Sequence, residues 1–128
     1  AKVEGAKVIG VDVDQAGIID GAYGDGMTVT SAMKGLAPTV NTLLSAIVLD
    51  DTWSDYVGKI DNLGLVSDNV EENYVQLPLE STQWNDGFTE DDYKALVADM
   101  LAGKVTVDNG IEAMPEVAVT VNDLGNIK

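Results

Sequence analysis

Residues 8–15 read Val8-Ile9-Gly10-Val11-Asp12-Val13-Asp14-Gln15, an apolar run that gives way to two carboxylates. A short apolar stretch broken abruptly by charge is the pattern of a parallel strand buried on both faces and ending at a functional edge. A central strand is therefore expected from Val8 to Val11. Open α/β sheets bind ligands beyond the carboxyl ends of such strands, which puts Asp12 and Asp14 where a solute would meet the protein. A carboxylate there accepts two hydrogen bonds, as the vicinal hydroxyls of a ribose or another sugar require, and needs no perturbed pKa. The plainer alternative is that one aspartate caps a turn and the other is solvated.

Downstream, Gly17, Gly21, Gly24 and Gly26 are dense enough to disfavour a regular helix, so residues 16 to 26 are expected as a loop around Tyr23. A second strand is expected from Met27 to Met33, where Thr28, Val29, Thr30 and Ser31 suit a pleated surface. Lys34 at its end is the only cation between Lys7 and Lys59. An ammonium brought beside Asp12 in a partly closed cleft would donate to ligand oxygens while the pair offset each other's charge; otherwise it is a hydrated surface lysine.

From Leu36 the spacing turns helical: Leu36, Val40, Leu43, Leu44, Ile47 and Val48 share one face, expected to cover the sheet. A short helix over Asp51 to Val57, with Thr52 as its cap, is expected to turn Trp53, Tyr56 and Val57 inward. Ile60 to Val66 and Tyr74 to Leu79 read as strands either side of the acidic turn 68–72. Residues 90 to 102 give the clearest helix, opened by Thr89 with Asp92 three positions on and ended by Gly103. Tyr93, Leu96, Val97, Met100 and Leu101 are its buried stripe. Val105 to Val107 and Val117 to Val121 are candidate closing strands. Strands alternating with helices imply an α/β fold with a mainly parallel sheet and flanking helices.

The net charge is −15, from 22 acidic residues against seven lysines. Phosphate binding needs clustered cations, so nucleic acid and anionic lipid surfaces are poor partners. With no cysteine and no histidine, thiolate chemistry and the usual neutral-pH base are missing, and any catalysis would fall to carboxylate, lysine, serine or tyrosine. No apolar run reaches the length of a membrane span. Residue 1 is an alanine in a polar stretch rather than the start of a signal peptide, as in a mature protein or an excised fragment.

Three motifs compete for the first 51 residues. Asp12-x-Asp14-x-Ala16-Gly17 opens like a calcium loop, but Ala16 and Tyr23 stand where ligands are required. Gly21-x-x-Gly24-x-Gly26 has the wrong order for a dinucleotide fingerprint and precedes a strand. The third pattern is similar to haloacid-dehalogenase-like phosphatases. It would make Asp12 the nucleophile, Asp14 the acid and base, Thr30-Ser31 the second motif and Asp50 or Asp51 a magnesium ligand. Its motifs are packed too closely to admit the intervening α/β units.

Val8 to Gln15, then Tyr23-Gly24-Asp25-Gly26, then Thr30-Ser31-Ala32-Met33-Lys34, together resemble the basic membrane protein family of ABC-transporter solute-binding lipoproteins. The resemblance is looser after residue 60, where Gly64-Leu65-Val66 is similar to a late strand and the Thr89 helix to the terminal helix. It implies a type I periplasmic binding fold of two lobes, of which this chain would be the C-terminal portion: 1–30 second-lobe strand and loop, 31–88 crossover and first-lobe elements, 89–128 C-terminal helix and closing strands. It further implies a purine nucleoside or related solute bound without chemical change, so no enzyme and no cofactor or metal. Asp12 would bind ribose hydroxyls and Lys34 would reach the same sugar from the crossover. The complete protein would be lipid-anchored outside the cytoplasm and would serve an ABC permease. The family often has a second basic residue after the lysine, whereas Gly35 and Leu36 follow here. As a fragment, the chain would leave faces such as the Leu36 to Val48 stripe uncovered, and a homodimer is the expected remedy. A cell-surface sensing or interaction module is the alternative outside transport.

Overall fold

The computed structural model describes residues 1–108, 110, 114, 116–122 and 125. Three strands and three α-helices follow in the order β1 (Val8–Asp12), α1 (Ala16–Tyr23), β2 (Thr28–Lys34), α2 (Leu36–Val48), β3 (Val75–Gln76) and α3 (Glu90–Leu101). The sheet order is β1-β2-β3, with β1 and β2 parallel and β3 antiparallel to β2. This is an α/β domain on a small mixed sheet.

The central strand is β2, whereas β1, expected at the centre, lies at an edge with Ile9 66% and Val11 56% exposed. Only Gly10 of β1 is buried. A Cβ there would sit 2.5 Å from the Ser31 hydroxyl and 3.0 Å from Gln15, so the two strands meet closely because position 10 has no side chain.

Residues 16–23, expected as loop, are helical. Gly17 and Gly21 face open space, and their entropic cost is offset by bonds at both ends of α1. Asp14 Oδ1 accepts from the Ala16 amide at 3.0 Å, and the Asp20 carboxylate accepts from the amides of Gly26 at 3.0 Å and Thr28 at 2.8 Å. Asp20 thereby ties the helix to the first residue of β2. Thr28 first, and then the Gly26 amide, hold its carboxyl below the ordinary 3.8.

Helix α2 forms where its period predicts. Pro38 falls in its first turn, where a missing amide costs nothing. It does not cover the sheet: Ala46 is its one buried residue, and Leu36, Val40, Leu44, Ile47 and Val48 are exposed. The helix expected over 51–57 is a single 3-10 turn at Trp53–Asp55, with no side-chain cap from Thr52.

The apolar core lies under α3. Val70, Tyr93 and Val97 are buried, flanked by Leu65, Leu77, Leu79 and Trp84. Trp84 stacks on Tyr93 with ring centroids 5.8 Å apart. The capping box forms as expected, with Thr89 and Asp92 each bonding the other's backbone amide. Gly103 follows the helix at φ +73, the left-handed stop that glycine permits. Leu96 and Leu101, expected in the buried stripe, are partly exposed.

The strands expected at 60–66, 105–107 and 117–121 are irregular, and only Val75–Gln76 of 74–79 is a strand. In the first case a side chain replaces a strand partner. Asn73, fully buried, accepts from the amides of Val66 at 2.6 Å and Ser67 at 2.9 Å, and donates to the carbonyls of Ser67 at 2.9 Å and Asn69 at 3.3 Å. The 89–128 segment extends to residues 109, 111–113, 115, 123, 124 and 126–128, which lie outside the described residues.

Candidate functional site

Asp12 and Lys34 end adjacent parallel strands, and the register pairs Asp12 with Met33, one residue short of Lys34. The two side chains meet: Lys34 Nζ lies 2.7 Å from Asp12 Oδ1. Both remain largely open to water, Lys34 67% and Asp12 56% exposed, and such an exposed pair contributes no more than about 1 kcal/mol to stability. Its second carboxylate oxygen and the other ammonium protons remain available to a ligand.

The backbone turns Asp12 out of the sheet in an uncommon way. Its φ is +75, and the Val13 amide donates to the Val11 carbonyl across it at 3.0 Å. That combination is a γ-turn of the rare, strained hand. Strain of this kind costs roughly 1–3 kcal/mol and persists where the surroundings over-determine it. Here the surroundings are Gln15 and Ser31. Gln15 Oε1 accepts from the Val11 amide at 3.1 Å, and the Gln15 amide donates to the buried Ser31 hydroxyl at 3.1 Å. Gln15 clasps the turn, a role hidden in the sequence because it depends on Ser31, in the neighbouring strand.

Asp14 faces its own chain. Its Oδ1 holds the Ala16 amide at the start of α1, the turn-forming role weighed for one of the two aspartates. Thr30 bonds the Thr82 hydroxyl at 2.7 Å, and Asp50 and Asp51 follow the end of α2. Among the described residues no group of three or more acidic side chains is placed to hold a metal ion.

Lys34 also stands at one end of an apolar cleft of about 350 Å³ between the sheet and α3, lined by Met33, Leu77, Tyr93 and Val97. Asp12 does not line it. A smaller hollow of about 250 Å³ lies beside α2, walled by Trp53, Tyr56 and Tyr74. The inward turn of Trp53 and Tyr56 was expected, but their meeting with Tyr74 was not, since these residues converge only once the chain after α2 folds back.

No protein-family model, curated protein or solved structure matches this chain.

Proposed function

We propose that this chain belongs to the extracytoplasmic solute-binding component of an ABC importer, and that it takes a purine nucleoside or related sugar-containing solute and hands it on to a permease unchanged. The observation that carries this reading is the Asp12 to Lys34 pair at the carboxyl ends of two parallel strands, with Asp12 held in a strained turn. Ribose hydroxyls would donate to the carboxylate and accept from the ammonium. Each contact is charge-assisted, and the pair stays mutually neutralised while the sugar is bound.

The open faces fit the same reading. The pair has water on one side, β1 has a free outer edge among the described residues, and the α2 stripe is bare. In a two-lobed type I periplasmic-binding-protein-like fold, further parts of the protein would close the pair from above and cover the stripe. Nucleobase stacking would come from those parts, which leaves half a site here.

Calorimetry with inosine and adenosine tests this. The gene's complete product is expected to bind, with Asp12→Asn and Lys34→Met each weakening it by about ten-fold or more. The 128 residues alone are expected to bind weakly or not at all. Submicromolar binding by this chain alone would refute the half-site; indifference of the complete product to either substitution would refute the reading.

A further inference from the structure

The hollow beside α2 shares no residue with the Asp12 to Lys34 pair and has a chemistry of its own. The chain has two tryptophans, four tyrosines and one phenylalanine, and three of these seven aromatics wall this one space: Trp53, Tyr56 and Tyr74. Such concentration in a chain poor in aromatics gives a recess with several flat apolar faces.

The walls are positioned by bonds that leave the ring faces free. The Tyr74 amide donates to the Gly64 carbonyl at 3.1 Å, its carbonyl accepts from Gly35 at 2.7 Å, and its phenol bonds the Thr42 hydroxyl at 2.9 Å. The Thr52 amide, donating to the Ala46 carbonyl at 3.0 Å, anchors the turn that carries Trp53. Trp53 remains 44% exposed.

Two opposite charges complete the lining, Lys59 and Asp61. Neither side chain has an ion pair or hydrogen bond with a described residue, while Lys34, Lys94 and Lys104 are each paired with a carboxylate. Lys2 and Lys7 likewise have no carboxylate partner among the described residues, but of these three lysines only Lys59 lies at the recess walled by Trp53, Tyr56 and Tyr74. Its ammonium supplies donors, the Asp61 carboxylate supplies acceptors, and together they add no net charge.

A ligand for this space must offer an apolar face to the rings, hydroxyls that both donate and accept, and no net charge. Its bulk must suit about 250 Å³, slightly below the usual range for drug-sized ligands. We propose that the hollow binds a neutral pyranose carbohydrate, with Trp53 as stacking platform, Asp61 accepting from and Lys59 donating to its ring hydroxyls. A quaternary ammonium would also favour the aromatic walls, and with Lys59 and Asp61 offsetting each other it is the competing ligand; it offers no hydroxyls to either charge, whereas a sugar does. This inference does not rest on the nucleoside reading.

The test is saturation-transfer NMR of this chain with millimolar methyl glucoside, methyl galactoside, N-acetylglucosamine and choline. Transfer to the ring C–H protons of at least one sugar is expected. Trp53→Ala and Asp61→Asn should each weaken that binding at least ten-fold, and the distant Lys104→Gln should leave it unchanged. Asp61 is exposed and its replacement spares the fold, so it decides the matter should Trp53→Ala unfold. Absence of transfer to all three sugars, equal binding by Asp61→Asn, or preference for choline would overturn the proposal.

Discussion

Around α3, apolar residues are buried and the buried Asn73 amide has a partner for each of its hydrogen-bonding groups; around α2, a longer and more apolar helix buries Ala46 alone. The two helices differ in the opposite sense from their sequences. The α3 segment is acidic along its first turn and needs few apolar positions to dock, because Trp84, Leu77 and Leu79 come up to meet Tyr93 and Val97. The α2 segment has an apolar period of which Leu36, Val40, Leu44, Ile47 and Val48 stay exposed among the described residues. Apolar periodicity therefore reports a face suited to burial, and what buries it is a separate matter.

The contrast can be broken most severely where the regions join. Gly35, at the start of α2, packs so closely on the chain entering β3 that a Cβ would run into the Asn73 carbonyl and Tyr74 Cα. Gly35→Ala and Asn73→Ala are each expected to cost about 3 kcal/mol or more, the first by overpacking and the second by orphaning buried backbone groups. Urea denaturation would show whether the two regions then unfold together. Thr89→Ala should cost about 1 kcal/mol by removing the α3 cap, visible as a lower midpoint with unchanged slope. Leu44→Ser and Ile47→Ser, in the bare stripe, should stay within about 0.5 kcal/mol of the parent. A loss of 2 kcal/mol or so from either, or a dimer in light scattering that these substitutions dissolve, would show the stripe to be covered in solution.

The smallest effect is on pH dependence. The Asp20 and Asp92 carboxyls lie below the ordinary 3.8, the first held chiefly by Thr28 and the second by Thr89. Lowered acids contribute stability above their unfolded value and lose it as pH falls through the folded one. Lys94 lies above the ordinary 10.5 because Glu90 accepts from it at 2.5 Å, so its contribution is complete below 10.5 and disappears as pH rises through the folded value. The urea midpoint should be level from about pH 5 to 9 and fall on both sides. Asp20→Asn should flatten the acid limb.

Much of α3 and β2 was legible in the sequence because their determinants are local: Thr89 and Asp92 three apart, and β-formers in succession from Thr28. The meeting of Asp12 and Lys34 was legible from parallel strands with charged ends. The rest depended on partners distant in sequence or on side chains acting as backbone. The glycines of α1 were outweighed by Asp20, whose bonds reach Gly26 and Thr28. The alternation across 60–66 was overruled by one asparagine that bonds the amides a strand partner would have taken. The place of β1 at the edge was hidden too, since a four-residue apolar run reads the same with one neighbouring strand as with two.

That free outer edge of β1 governs how copies of the chain behave in crowded solution. Among the described residues no strand pairs the outer side of β1 beside exposed Ile9 and Val11, but Gln15 takes the Val11 amide and the Val13 amide takes its carbonyl, which shortens the template on which another chain could extend the sheet. Asp12 at its last position and Asp14 just beyond it act as gatekeepers against cross-β stacking, and the overall negative charge adds long-range repulsion.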